Sequence, residues 1–313
     1  MNNETENNVK DKKPSKRTYI IAAVCFVLLL IGALIVASLN QEPKPDPESE
    51  KIIRQAASGQ LQKNLNELTE EDLATIEVLY LNGKELCDFK MLEKLTNLQQ
   101  LRLSALRYPE NAIPEWMKIL AKLGIFDINK RFALDLSPLK KLQNLQSLTI
   151  VSTQIKNYKP LFSLKKLQRL NLSMRSKDDH GMIADLVPIK ELINLQSLEL
   201  SFTNISDLEP IKEFKYLQLL DLYETQVSDL EPIKNLSNLQ YLDISGTQVS
   251  NIEHLRGLTK LQRMNLIGTP VSDLESLKNL TQLKTLVINN CKNITDQQVE
   301  DLQKALPNLK IIR

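Results

Sequence analysis

Glycine is scarce in this chain, eight residues in 313, and proline contributes thirteen. That excludes a collagen-like or Gly/Pro-rich low-complexity chain. Aromatic side chains make up 5% against 42% apolar residues in all, so the core has to be aliphatic. Histidine occurs twice, at His180 and His254, which leaves little for a metal centre or for a base beside a nucleophile. No glycine-rich phosphate loop, Cys-x-x-Cys pair or Ser/His/Asp set can be named. The net charge of +2 is too weak to imply a nucleic-acid partner. Cofactor and metal are therefore not expected.

The chain does contain a repeat. From Leu195 to Gln282 it reads LQSLELSFTNISDLEPIKEFKY, LQLLDLYETQVSDLEPIKNLSN, LQYLDISGTQVSNIEHLRGLTK and LQRMNLIGTPVSDLESLKNLTQ, four consecutive units of equal length. Each begins L-x-x-L-x-L, an alternation of period two that reads as a strand. The second half opens with Asp207, Asp229 or Asp273, then Leu-Glu and often Pro, which reads as a capped short helix or 3₁₀ turn. One strand and one turn in a unit this short is a leucine-rich repeat. The unit resembles that of the internalin type, over roughly residues 76–306. The resemblance implies an α/β solenoid, a horseshoe with a parallel concave β-sheet and short helical or 3₁₀ turns on the convex side. It also implies a bacterial surface or secreted protein that binds other proteins. The chain departs from that pattern in lacking a C-terminal wall-sorting sequence.

Units are expected to begin at Ile76, Leu98, Leu120, Leu145, Leu167, Leu195, Leu217, Leu239, Leu261 and Leu283. The match is poor from Ala105 to Ala133, which includes Trp116, and an insert follows Leu167 at Met174–Met182. In the last unit DQQVEDLQKALPNL reads as helix, a C-terminal cap closed by Leu309 and Ile312. The repeat domain is thus 76–313, preceded by a helical N-terminal cap at 49–75 with Thr69 as a capping residue. Residues 40–48 read as a Pro-rich charged stalk and 1–18 as a basic cytoplasmic tail. Between them Tyr19 to Leu39 is an uncharged, mostly apolar run, long enough to span a bilayer as a signal anchor. Val36 and Ser38 form a −3/−1 pair, so a cleaved signal peptide is the alternative. Lys10, Lys12, Lys13, Lys16 and Arg17 put the N-terminus inside and the repeats in the periplasm or cell exterior. Cys87 and Cys291 fall in the first and last units, nine strand steps or about 43 Å apart at roughly 4.8 Å per step, so they cannot pair with each other.

Positions one, four and six of each unit should be buried, as in Leu217, Leu220 and Leu222, and position nine carries a threonine ladder of Thr203, Thr225, Thr247 and Thr269. Positions three, five and seven should line the concave face. There Glu199, Asp221 and Asp243 fall in one column, with Leu219, Tyr223 and Tyr241 around them and Phe202 just beyond. Stacked like charges destabilise a sheet and no core needs them, so these seven residues are the candidate partner-binding patch; the alternative is ordinary solvated surface. Replacing Asp221 by Ala is expected to change stability by less than about 0.5 kcal/mol, or even to improve it by relieving the acidic column. Arg102, Lys122 and Arg169 form a sparser basic stretch toward the N-terminus. The reading is a non-catalytic protein-binding module. One alternative is an envelope protein holding glycan or wall polymer in the groove. Another is an enzyme built on His180 and the carboxylates, which lacks a base–nucleophile pair.

Overall fold

The computed structural model describes residues 47–83, 89–104, 106, 115, 122, 134–153, 155–174 and 183–313. All lie in one compact unit, 45–313, with its own core. The apolar run 19–39, the basic tail, Cys25, Cys87, Trp116 and His180 lie outside the described residues. Among the described residues no helix is long and apolar enough to cross a membrane.

The N-terminal cap begins with helix α1 (Pro47–Leu61). It starts two residues before the segment assigned to the cap, because Pro47 and Glu48 suit a first helical turn, where a missing N–H costs nothing and a carboxylate meets the helix dipole. Ile53 and Ala57 on one face are buried against the first strand. A 3₁₀ turn, Leu65–Glu67, leads to α2 (Glu70–Ala74), whose Thr69 and Asp72 exchange side-chain and backbone bonds in a capping box.

Ten strands then form one parallel sheet. They are β1 (Val78–Asn82), β2 (Gln100–Ser104), β4 (Ser147–Val151), β6 (Arg169–Asn171), β7 (Ser197–Glu199), β8 (Leu219–Asp221), β9 (Tyr241–Asp243), β10 (Arg263–Asn265), β11 (Thr285–Val287) and β12 (Lys310–Ile312), hydrogen-bonded in that order. Two short strands, β3 (Leu134–Asp135) and β5 (Ile155–Asn157), pair separately. The expected unit start at Leu120 lies outside the described residues, and no strand stands between β2 and β4 in the sheet. β2 pairs directly with β4, Arg102 opposite Thr149. Lys122 is helical and so is not on the concave face. The second unit therefore runs from Leu98 to Asn144, with the extra residues between its strand and its 3₁₀ turn at Ser137–Lys141. Asn144 still donates to the Thr96 carbonyl at 3.2 Å, the bond that Asn238 makes to Lys215 at 2.7 Å in a regular unit.

Within each unit the aliphatic positions behave as the pattern requires. Leu217, Leu220 and Leu222 are fully buried, as are Val227, Leu230 and Ile233 on the returning leg. Burying a side chain of this size is worth about 1.5–3 kcal/mol, and only neighbouring units can supply the cover. Position 13 starts the 3₁₀ turn: the carboxylates of Asp207, Asp229 and Asp273 accept the N–H two residues on, at 2.8–2.9 Å. The threonine ladder is buried, and each hydroxyl donates to a carbonyl of its own unit, Thr203 to Leu200, Thr225 to Leu222, Thr247 to Ile244 and Thr269 to Leu266. Cys291 takes the same place in the last unit as a free, buried thiol. Its Sγ donates instead to Leu266 of the preceding unit, at 2.9 Å.

At the C-terminal end a full helix, α3 (Asp296–Ala305), replaces the 3₁₀ turn, opened by a Thr295–Gln298 capping box. Leu302, Leu306 and Leu309 cover the last core layer. Ile312 does not close the core as expected; it belongs to the edge strand β12 and is 36% exposed.

Candidate functional site

Register brings the sequence-selected residues together. Ser197, Leu219 and Tyr241 stand side by side at position three. At position five the order is Asn171, Glu199, Asp221, Asp243, Asn265. The carboxylate column thus has an asparagine at each end. Asn171 Nδ2 donates to Glu199 at 2.7 Å, and Asn265 Nδ2 donates to Asp243 at 2.6 Å. These amides supply neutral donors where flanking carboxylates would add repulsion.

The same side chains also close the strands. A strand of three residues ends where the backbone turns inward, and the N–H of position seven points at no neighbouring strand. Asp221 accepts that N–H from Tyr223, Asp243 from Ser245 and Asn171 from Ser173, each at 2.9 Å. These are Asx turns, in which a short side-chain oxygen substitutes for a backbone acceptor. Asp221 is therefore not a bystander on the outer face, and its removal would take away an acceptor that the near-neutral expectation leaves out of account. Asp243 departs further from the outward placement read from the sequence. It is 8% exposed and also accepts the Tyr241 hydroxyl at 3.1 Å. Position seven is likewise not uniformly outward. Ser201 and Ser245 are buried, and Ser245 Oγ accepts the Ile267 N–H at 3.1 Å.

What remains open to a partner is narrower than the seven residues. Glu199, Asp221, Leu219 and Tyr241 are half-buried, and Tyr223 is 36% exposed. Burial pushes the carboxyls of both Glu199 and Asp221 above the usual range; the charge of the next carboxylate adds to each. Burial, then the Asp243 charge, pushes the Tyr241 phenol up as well. The phenol stays protonated and donates to Asp243.

Position eight carries a signal that the period-two reading passes over. Gly83, Ser152, Phe202, Glu224, Gly246, Gly268 and Asn290 all occupy it, and all have φ between 51° and 69°. This left-handed step turns the chain off the strand, and its N–H bonds to position seven of the next unit, as Phe202 N–H does to Tyr223 at 2.8 Å. Glycine accepts this conformation freely and asparagine tolerates it; a side chain such as Phe costs roughly 1–2 kcal/mol. Phe202 and Glu224 hold it in the two units that carry Glu199 and Asp221. The Phe202 ring meets Tyr223 edge to face, centroids 4.9 Å apart and planes at 73°. Gly246 and Gly268, one unit apart, could have revealed the position in the sequence. Among the described residues no group of three His, Cys, Asp or Glu is arranged to hold a metal ion.

The fold has parallels among solved proteins. The chain is similar in structure to an internalin C2 from Listeria monocytogenes, 24% identical, TM-score 0.56, across 86% of this chain and 93% of that one. It is also similar to a leucine-rich repeat protein of Leptospira interrogans, 21% identical, TM-score 0.56, across 78% of this chain and 62% of that one. At these identities the likeness is one of fold. A comparison with curated protein sequences finds no match. The family model for a leucine-rich repeat region matches residues 144–313. With the repeat period and the parallel ladder already evident, that match settles the family: the chain belongs to the leucine-rich repeat proteins.

Proposed function

We propose that this is a non-catalytic binding module that recognises a protein through the concave patch centred on Tyr223. In this reading residues 19–39 anchor it in a membrane with the N-terminus cytoplasmic, and the repeats work in the periplasm or outside the cell. The observation that carries the binding site is the pair of side chains at position eight. Gly83, Gly246 and Gly268 hold that place in three other units. Phe202 and Glu224 accept the left-handed backbone next to the acidic column, and Phe202 uses it to buttress Tyr223. Backbone strain of this kind persists where function holds it. Tyr223, Leu219 and Tyr241 supply apolar and aromatic surface, the usual anchors of an interface, and Glu199 and Asp221 favour a basic partner. The apolar run and its basic flank support the anchor.

The test uses a partner captured by residues 41–313. Tyr223→Ala should weaken binding by about 2 kcal/mol or more. Phe202→Gly should weaken it too, while keeping stability within about 1 kcal/mol, because relief of the left-handed side chain offsets the lost ring contact. Full affinity in both variants, with the fold intact, moves the site off this patch. Release of a glycan by the same variants would assign the groove to a wall polymer instead.

A further inference from the structure

The outer face holds a second break in the repeat, independent of the concave patch. Positions 15 and 18 flank the 3₁₀ turn and project from the convex side. In the last four regular units they form ion pairs within the turn: Glu209–Lys212, Glu231–Lys234, Glu253–Arg256 and Glu275–Lys278. In the three units from Leu98 to Asn194 these positions form no such pair among the described residues. Their turns have Ser137 and Lys140, Lys159 and Phe162, Val187 and Lys190. Phe162 is 49% exposed, Val187 52%, and Ile193 on the turn back to the strand 51%. Tyr216 follows in the next unit at 58%. It stands in the row where Lys166 and Lys260 each donate to an asparagine of the preceding unit.

These residues are contiguous. The Lys165 ammonium lies 5.8 Å from the Phe162 ring centroid and 3.7 Å from Glu191 of the next turn. Ile193 follows Lys165 in the stack. Lys140, Lys141, Lys159 and Lys190 are exposed and have no ion pair among the described residues. The charge follows the same division: residues 134–194 hold ten Lys/Arg and five Asp/Glu, and residues 195–282 seven and twelve.

A protein interface would be expected to be poor in lysine. Protruding apolar and aromatic side chains set among unpaired lysines are what an anionic bilayer surface takes up: the apolar groups enter the headgroup–acyl boundary and the ammonium groups stay at the phosphates. We infer that the convex face of the units spanning residues 134–216 docks on an anionic phospholipid surface, with Phe162, Val187 and Ile193 inserted and Lys140, Lys159 and Lys190 on the phosphates. The inference does not depend on the 19–39 anchor, because the patch lies wholly in the compact unit 45–313.

That unit, freed of the anchor, is the sample. It is mixed with vesicles of phosphatidylcholine alone or of phosphatidylcholine with phosphatidylglycerol, and sedimented. Binding should need phosphatidylglycerol and weaken with salt. Lys159→Gln and Lys190→Gln should each lower it about fivefold. Phe162→Ser with Ile193→Ser should lower it further at unchanged charge. Lys234→Gln with Lys278→Gln, the same charge change made on the paired stripe, should leave it nearly intact. All are exposed positions except the half-buried Lys278, and unchanged thermal melts confirm folding. The inference is overturned if neither vesicle binds, if the paired-stripe control loses as much as the patch variants, or if soluble polyglutamate binds the patch and the vesicles do not. None of these variants touches the concave residues, so failure here leaves the Tyr223 reading standing, and the reverse holds.

Discussion

Asp221 performs two tasks that one pair of substitutions separates. Its carboxylate accepts the Tyr223 N–H at 2.9 Å and a hydrogen bond from Ser201, which closes the strand. It also carries a charge between Glu199 and Asp243. Asp221→Ala removes both. Losing a hydrogen bond to a charged, half-buried group costs about 1.5–3 kcal/mol, and relieving each of two cross-strand neighbours returns about 0.2–1 kcal/mol. The net is a loss of about 1 kcal/mol, or roughly 2–4 °C in Tm for a domain of this size. Asp221→Asn keeps an oxygen for the Tyr223 amide and removes only the charge. It should be neutral to stabilising at pH 7, by up to about 1 kcal/mol. The pH dependence has a fixed sign. The Asp221 carboxyl is raised in the folded state, so its ionised form costs stability at neutral pH. That cost is present above the folded pKa and fades as pH falls through it toward the ordinary aspartate range. The advantage of Asn over the wild type should therefore shrink on acidification. Denaturation of residues 45–313 by heat or urea at pH 7 and near pH 4 reads all three proteins. If Ala and Asn melt together, the acceptor is not in use. If the advantage of Asn grows as pH falls, burial does not raise this carboxyl.

Two further outcomes follow from other parts of the chain. Gly246→Ala places a Cβ 2.7 Å from Glu224 Cδ at φ +67°, and should destabilise by about 1–2 kcal/mol from the backbone alone; the excess due to the clash should vanish in a Glu224→Ala background, read by a double-mutant cycle. A reporter active only outside the cytoplasm and fused after Arg313 should be active; activity confined to a cytoplasmic reporter there would reverse the orientation assigned to the 19–39 run.

The aliphatic frame was open to reading because a strand and a 3₁₀ turn each impose a period, and Leu217, Leu220 and Leu222 obey it in every regular unit. The same logic failed at Leu120. Leu120 and Leu123 imitate the start of a unit, and spacing alone does not reveal that Gln100–Ser104 already bonds to Ser147–Val151. At the candidate site the column of acids was visible, and its purpose was not. Asx turns at Asp221 and Asp243 depend on where a three-residue strand stops, which no alternation encodes. The left-handed step escaped for a chemical reason: Phe202 and Glu224 are not residue types that favour positive φ, and they mask a position that Gly246 and Gly268 mark plainly.

The two irregular units share a property with consequences for how such a chain lengthens. Leu98 to Asn144 is more than twice the regular length and Leu167 to Asn194 also exceeds it, yet strand register and the stack of 3₁₀ turns continue across both. In each the surplus enters on the same leg, after the strand and before the turn. Closing the doubled span rather than a regular one costs only about 0.7 kcal/mol of chain entropy, because that cost grows with the logarithm of length. This leg is therefore the growth point of the solenoid: foreign sequence grafted there enlarges the protein without asking the ladder to move. A graft between Asn144 and Gln146, or at the matching corner of any other unit, would instead pull the next strand out of line.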